Sequence, residues 1–82
     1  MRKTYWQILI ELWADKEWVS NLDYQRATKG SPKFTSRISD MRKRGILILD
    51  RWVDNAEEGR HKEYKLATSP ALVRIRMTRR AA

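Results

Sequence analysis

Two amphipathic stretches of this chain are separated by just four residues, Lys29-Gly30-Ser31-Pro32, and that junction constrains the fold more than any other feature. Gly30 is a helix stop, while Ser31 and Pro32 mark a fresh start, because a hydroxyl caps free amides and proline suits the first helical position. The helix so opened, residues 32–44, places Phe34, Ile38 and Met41 at spacings of four and three, a stripe suited to a core. Gly45 supplies the left-handed residue that ends it. The other side of this helix carries Lys33, Ser36, Ser39, Asp40 and Lys43. Upstream, Ser20 with Asp23 three positions on predicts a capping box and a preceding helix, with Leu22 and Ala27 pointing inward and Tyr24 able to face either way. Two short helices joined so tightly form a helix-turn-helix.

Around this pair the chain predicts further elements. Thr4 caps a first helix running to Asp15, with Tyr5, Ile8, Leu9 and Leu12 on its inner face and Trp6 and Trp13 widening the stripe. Glu17-Trp18-Val19 is long enough to add an edge to a small sheet. After Gly45 the run Ile46-Leu47-Ile48-Leu49 continues as a strand through Trp52 and Val53, and Tyr64 and Leu66 lie on a returning strand. Asp54 to His61 is polar, with Gly59 able to turn the chain, and reads as a long loop. The four tryptophans, Trp6, Trp13, Trp18 and Trp52, read as core and core-edge residues. The expected fold is α+β, a winged helix-turn-helix with a three-helix core, a short strand and a C-terminal β-hairpin wing. Ser69-Pro70 is taken as the end of a domain spanning residues 1–69, leaving a basic tail, residues 70–82. Val73-Arg74-Ile75-Arg76-Met77 alternates as a strand would, whereas a helix would gather Leu72, Ile75 and Arg79, so periodicity leaves both open.

At 82 residues the chain has one small core, burying roughly 60 to 65% of its extended surface, too little for a deep catalytic cavity. It contains no cysteine, which removes disulfides and thiolate metal sites. There is no Gly-rich phosphate loop and no serine with a histidine base, so no enzyme activity, catalytic residue or cofactor is expected. His61 on a polar loop makes a poor metal ligand, and no metal is expected. No apolar run approaches the ~20 residues of a membrane span, and the stretch from Tyr5 to Trp13 is broken by Gln7 and Glu11, unlike a secretory signal. The expected location is the cytoplasm.

The net charge of +8 is unevenly spread. Residues 1–30 hold five basic and four acidic groups, and residues 46–70 hold four basic and five acidic. Residues 31–45 hold five basic against one acidic, and residues 71–82 hold four arginines and no acid. Two concentrated cationic patches point to a polyanion, most simply nucleic acid.

The segment Arg37-Ile-Ser-Asp-Met-Arg-Lys-Arg-Gly45, together with Trp18-Val19-Ser20 and Glu63-Tyr64-Lys65-Leu66, resembles the small winged helix-turn-helix proteins of bacteriophage and prophage genomes. The resemblance covers roughly residues 4–67. It implies DNA binding by the third helix and a role as a small transcriptional regulator. Asp54, Glu57 and Glu58 depart from the basic wings that grip DNA, which shifts the expected contacts toward the helix and the tail.

The candidate DNA contacts on the helix are Lys33, Thr35, Ser36, Arg37, Ser39, Asp40 and Lys43. Lysine and arginine reach guanine acceptors, hydroxyls serve either base pair, and aspartate accepts from cytosine. Arg37 has a second reading, its stem packed and its head paired with Asp40 or Asp23. Arg42 and Arg44 are favoured by the helix dipole whatever the function. Arg60 and Lys62 on the wing, and Arg74, Arg76, Arg79 and Arg80 on the tail, are candidate phosphate contacts. The expected partner is double-stranded DNA, bound by a monomer or a homodimer. The rival is a protein-interaction module that uses the same fold against a host or bacterial-immunity complex.

Overall fold

Thr4 and Gln7 close a capping box at the start of α1 (Tyr5–Asp15): the threonine side chain accepts from the Gln7 amide, and the Gln7 side chain accepts from the Thr4 amide at 2.8 Å. The structure, a computed structural model, describes residues 3–57 and 59–78. Arg79 and Arg80 therefore lie outside the described residues. The buried face of α1 is Trp6, Leu9 and Ile10, with Tyr5, Leu12 and Trp13 packed partly against the core. This stripe is rotated from the expected one, because Trp6 and Ile10 are drawn inward in place of Ile8.

A two-residue strand, β1 (Val19–Ser20), leads directly into α2 (Asn21–Ala27). Ser20 serves both elements. Its amide donates to Asp23 at 2.9 Å while its hydroxyl accepts from the Asp23 amide, the capping box the sequence predicts. The inward residue of α2 is Tyr24, whose ring lies 5.4 Å from that of Phe34. Leu22 and Ala27 are exposed, contrary to expectation. At 100° per residue, a helix that points Tyr24 into the core turns Leu22 outward.

α3 (Phe34–Lys43) begins two residues later than expected. Ser31 and Pro32 lie before the helix, and the N-cap is Lys33, with no side-chain hydrogen bond. Lys29 and Gly30, with φ of 57° and 92°, turn the chain through left-handed geometry, and Phe34 then anchors the first turn between Tyr24 and Tyr64. Packing of that ring outweighs the local cap signal. Gly45 ends the segment at φ 83°, as the sequence requires.

β2 (Ile48–Asn55) and β3 (Gly59–Leu66) form an antiparallel ribbon, and the sheet order is β1-β3-β2. Ile48 pairs with Leu66, Asp50 with Tyr64, Trp52 with Lys62 and Asp54 with Arg60. The expected long loop from Asp54 to His61 is mostly strand. A ribbon that projects beyond the core has solvent on both faces, so polar residues do not end it.

The Ser-Pro start signal operates at Ser69-Pro70 instead of Ser31-Pro32. Ser69 accepts from the Leu72 amide through its hydroxyl and from the Val73 amide through its carbonyl, both within 3.3 Å, and α4 (Pro70–Thr78) follows. Val73 and Met77 are buried with Leu9, Phe34, Ile38 and Met41 in the same core. The compact unit thus continues through Thr78, and the segment expected to be a tail from residue 70 is a core helix up to that point. The described residues form a small α+β fold of four helices and a three-stranded antiparallel sheet.

Candidate functional site

The outer side of α3 is where the predicted residues converge. Phe34, Ile38 and Met41 are buried on its inner side, so the helical period leaves Lys33, Thr35, Ser36, Ser39 and Lys43 exposed. Thr35, Ser36, Ser39, Asp40 and Lys43 line one open, polar groove. Lys33 and Lys43 make no ion pair among the described residues.

Two predicted contacts are engaged by Tyr5 of α1. The Arg37 guanidinium lies 4.4 Å from the centroid of the Tyr5 ring and is half-buried, with its Nε lacking a hydrogen-bond partner. Neither Asp40 nor Asp23 pairs with it; Asp23 is taken by Lys16 and Ser20. The Tyr5 hydroxyl donates to the Asp40 carboxylate, which also lies 3.7 Å from Arg44. Burial pushes the Tyr5 hydroxyl well above its ordinary pKa, and the hydrogen bond to Asp40 and its negative charge push in the same direction. Asp40 lines the groove, but its charge is tied to its own fold.

The remaining arginines of α3 are equally committed. Arg42 donates to the Ile48 carbonyl at 2.7 Å and to Asp50 at 3.0 Å, fixing α3 against β2. Arg44 donates to the Met77 carbonyl at 3.3 Å, and Arg76 of α4 donates in return to the Gly45 carbonyl. Arg76 is therefore a brace between α3 and α4, not a free tail cation. A Cβ at position 45 would approach its guanidinium to 3.2 Å, a second reason for glycine there. Arg74 is exposed beside Gln7 and Glu11 of α1 and Lys3 just before it. Gln7 lies about 200° round α1 from Tyr5, which touches α3, so Arg74 is remote from the α3 groove.

Arg60 and Lys62 stand on β3, on the same face of the ribbon as Tyr64. Lys62 and Thr35 both line a cavity where the ribbon, the start of α3 and α2 meet, with Asn21, Leu22 and Gln25 forming its α2 wall. Between the two cations sits a residue that sequence reasoning misplaced. Trp52 is 58% exposed, not core, with Arg60 at 4.5 Å and Lys62 at 5.3 Å from its ring centroid. The available signal was its distance along the strand: Trp52 lies two positions beyond Asp50, which already pairs with the last core residue of β3, Tyr64.

His61 lies 3.6 Å from Glu63, and no group of three or more potential metal ligands is gathered among the described residues. Among them, too, no helix is long and apolar enough to cross a membrane. No protein-family model, curated protein or solved structure matches the chain.

Proposed function

We propose that this chain is a winged-helix protein that binds double-stranded DNA, with α3 as its major-groove helix, and that it acts as a small phage-type transcriptional regulator. The observation that carries this reading is the division of α3 into two sides: one sealed into the core, the other an open groove lined by Thr35, Ser36, Ser39, Asp40 and Lys43, with Lys33 exposed at the helix start. Hydroxyls and lysines on a rigid, outward helix match the donor and acceptor pattern of base edges and the charge of the flanking phosphates. The β2–β3 ribbon stands beside it as a wing, bringing Arg60 and Lys62 within reach of a backbone. Arg37, Asp40 and Arg42 position the helix and do not read bases. The likeness of Arg37 to Gly45 to phage winged-helix proteins supports the same reading.

The test is fluorescence anisotropy with a random-sequence duplex, followed by selection from a randomised pool. Lys43→Ala should weaken binding to all duplexes alike, whereas Ser36→Ala should relax preference at one position of the selected site. Equal effects on every sequence from both changes would refute the assigned roles. A protein-docking role is the second reading, favoured by the exposed side chains of Leu47, Leu49, Leu72 and Ile75. Absence of duplex binding at low salt would favour it.

A further inference from the structure

The ribbon carries its largest apolar side chain where the core has no use for it. Trp52 alternates with Asp50 and Ile48 on the face that covers the core, yet it stands beyond the last core pair and remains mostly in solvent. A comparison with Trp18 shows what a structural tryptophan looks like here. Trp18 is half-buried under Arg51 and Lys65, and these cations are neutralised by Glu63 and Glu17. At Trp52 the acid beside Lys62 is Asp50, 3.9 Å away and already held by Arg42 at 3.0 Å. An open indole flanked by two cations is the arrangement that stacks a nucleobase and meets its phosphate.

The acids of the ribbon sharpen the choice of ligand. Asp54 stands in register opposite Arg60, so a phosphate backbone laid beyond Arg60 toward the tip would meet negative charge. An unpaired base is neutral, and its flat face needs only the ring. Lys62, the cross-strand partner of Trp52, lines one cavity with Thr35, which brings this part of the ribbon next to the start of α3.

We propose that Trp52, with Arg60 and Lys62, is a stacking site for an unpaired nucleobase adjoining the duplex held by α3, so that the preferred ligand is a duplex with a single-stranded extension. The proposal rests on the duplex-binding reading of α3. The experiment compares, by anisotropy at one salt concentration, a blunt duplex, the same duplex with a short thymine extension, and the thymine strand alone. The wild-type chain should bind the extended duplex about 5- to 150-fold more tightly than the blunt one, the range expected of one stacked base. In Trp52→Ala the ratio of the two affinities should fall to near one, and in Trp52→Phe, which keeps an aromatic face, it should largely survive. Lys43→Ala should weaken both ligands and preserve the ratio. Circular dichroism checks that each variant is folded. A wild-type ratio of one, or a ratio that persists in a folded Trp52→Ala, would overturn the stacking site while leaving duplex binding intact. Failure of blunt duplex to bind, with or without binding of the single strand, would overturn the duplex reading and the junction preference with it.

Discussion

Tyr5 illustrates how a residue outside the proposed interface determines what that interface can present. Its ring supports the Arg37 guanidinium and its hydroxyl engages Asp40, so one side chain of α1 fixes two charges of α3. Tyr5→Phe removes the hydrogen bond and keeps the ring. A bond to a charged acceptor in a partly buried setting is worth roughly 1 to 3 kcal/mol, and the variant should lose about that much unfolding free energy in urea melts. Tyr5→Ala should cost more, because Arg37 then loses its aromatic partner. Equal stability of Tyr5→Phe and the wild-type chain would show that the contact contributes nothing net. Asp40 was legible as a residue of the groove but not as an acceptor for Tyr5, because that partner lies thirty-five positions away and no local pattern announces it.

Among the elements, the short helix α2 depends most on its cap. Ser20→Ala removes the hydroxyl that accepts from the Asp23 amide and should cost about 1 kcal/mol of stability. Burial alone would raise the Asp23 pKa, but the Ser20 amide, the Lys16 ammonium and the Ser20 hydroxyl together hold it below the ordinary value of 3.8. A carboxyl whose pKa is lowered in the folded chain stabilises it fully above the unfolded value, and this contribution disappears as pH falls through the folded one. Thermal melts should therefore show wild-type stability falling as pH drops from about 5 through the carboxylate range, and Asp23→Asn should show a smaller fall. An identical acid profile in both would remove the cap from the account. At α4, Met77→Ala should cost roughly 2 to 5 kcal/mol, as truncation of a core side chain does. A negligible loss would mean that this helix is not part of the cooperative unit.

These helices also show why the sequence was read well at one place and poorly at another. Thr4 as a cap and Ser20-Asp23 as a capping box are local signals, and both operate as read, while the return bond from Gln7 to Thr4 went unread. Ser31-Pro32 has the same chemistry as Ser69-Pro70, and local rules cannot rank the two; the difference is that Phe34 has Tyr24 and Tyr64 to pack against, which fixes the first turn of α3 later in the chain. The alternation from Val73 to Met77 was ambiguous for a related reason: burial of Val73 and Met77, four apart, selects helix, and the core that buries them is assembled from distant segments.

For the molecule as a whole, the density of charge in the sequence exceeds what the folded surface offers. Of the five basic residues between positions 31 and 45, Arg37, Arg42 and Arg44 are spent on internal contacts, leaving Lys33 and Lys43. With Arg60 and Lys62, about four cations remain on the proposed duplex surface among the described residues. Counterion release then gives a slope of log K against log salt of about −4, and replacing both Arg60 and Lys62 by alanine should make it shallower by about 2. A flat dependence would exclude phosphate contact as the source of affinity. Composition alone could show that cations were abundant, but only their partners decide which remain available.

The exchange of hydrogen bonds between Arg44 and the Met77 carbonyl, and between Arg76 and the Gly45 carbonyl, has a mechanical corollary. It rivets the exit of the groove-facing helix to the closing turn of the last one, so neither can swing without shearing two guanidinium anchors. A displacement of α4 is thereby passed to the C-terminal end of α3.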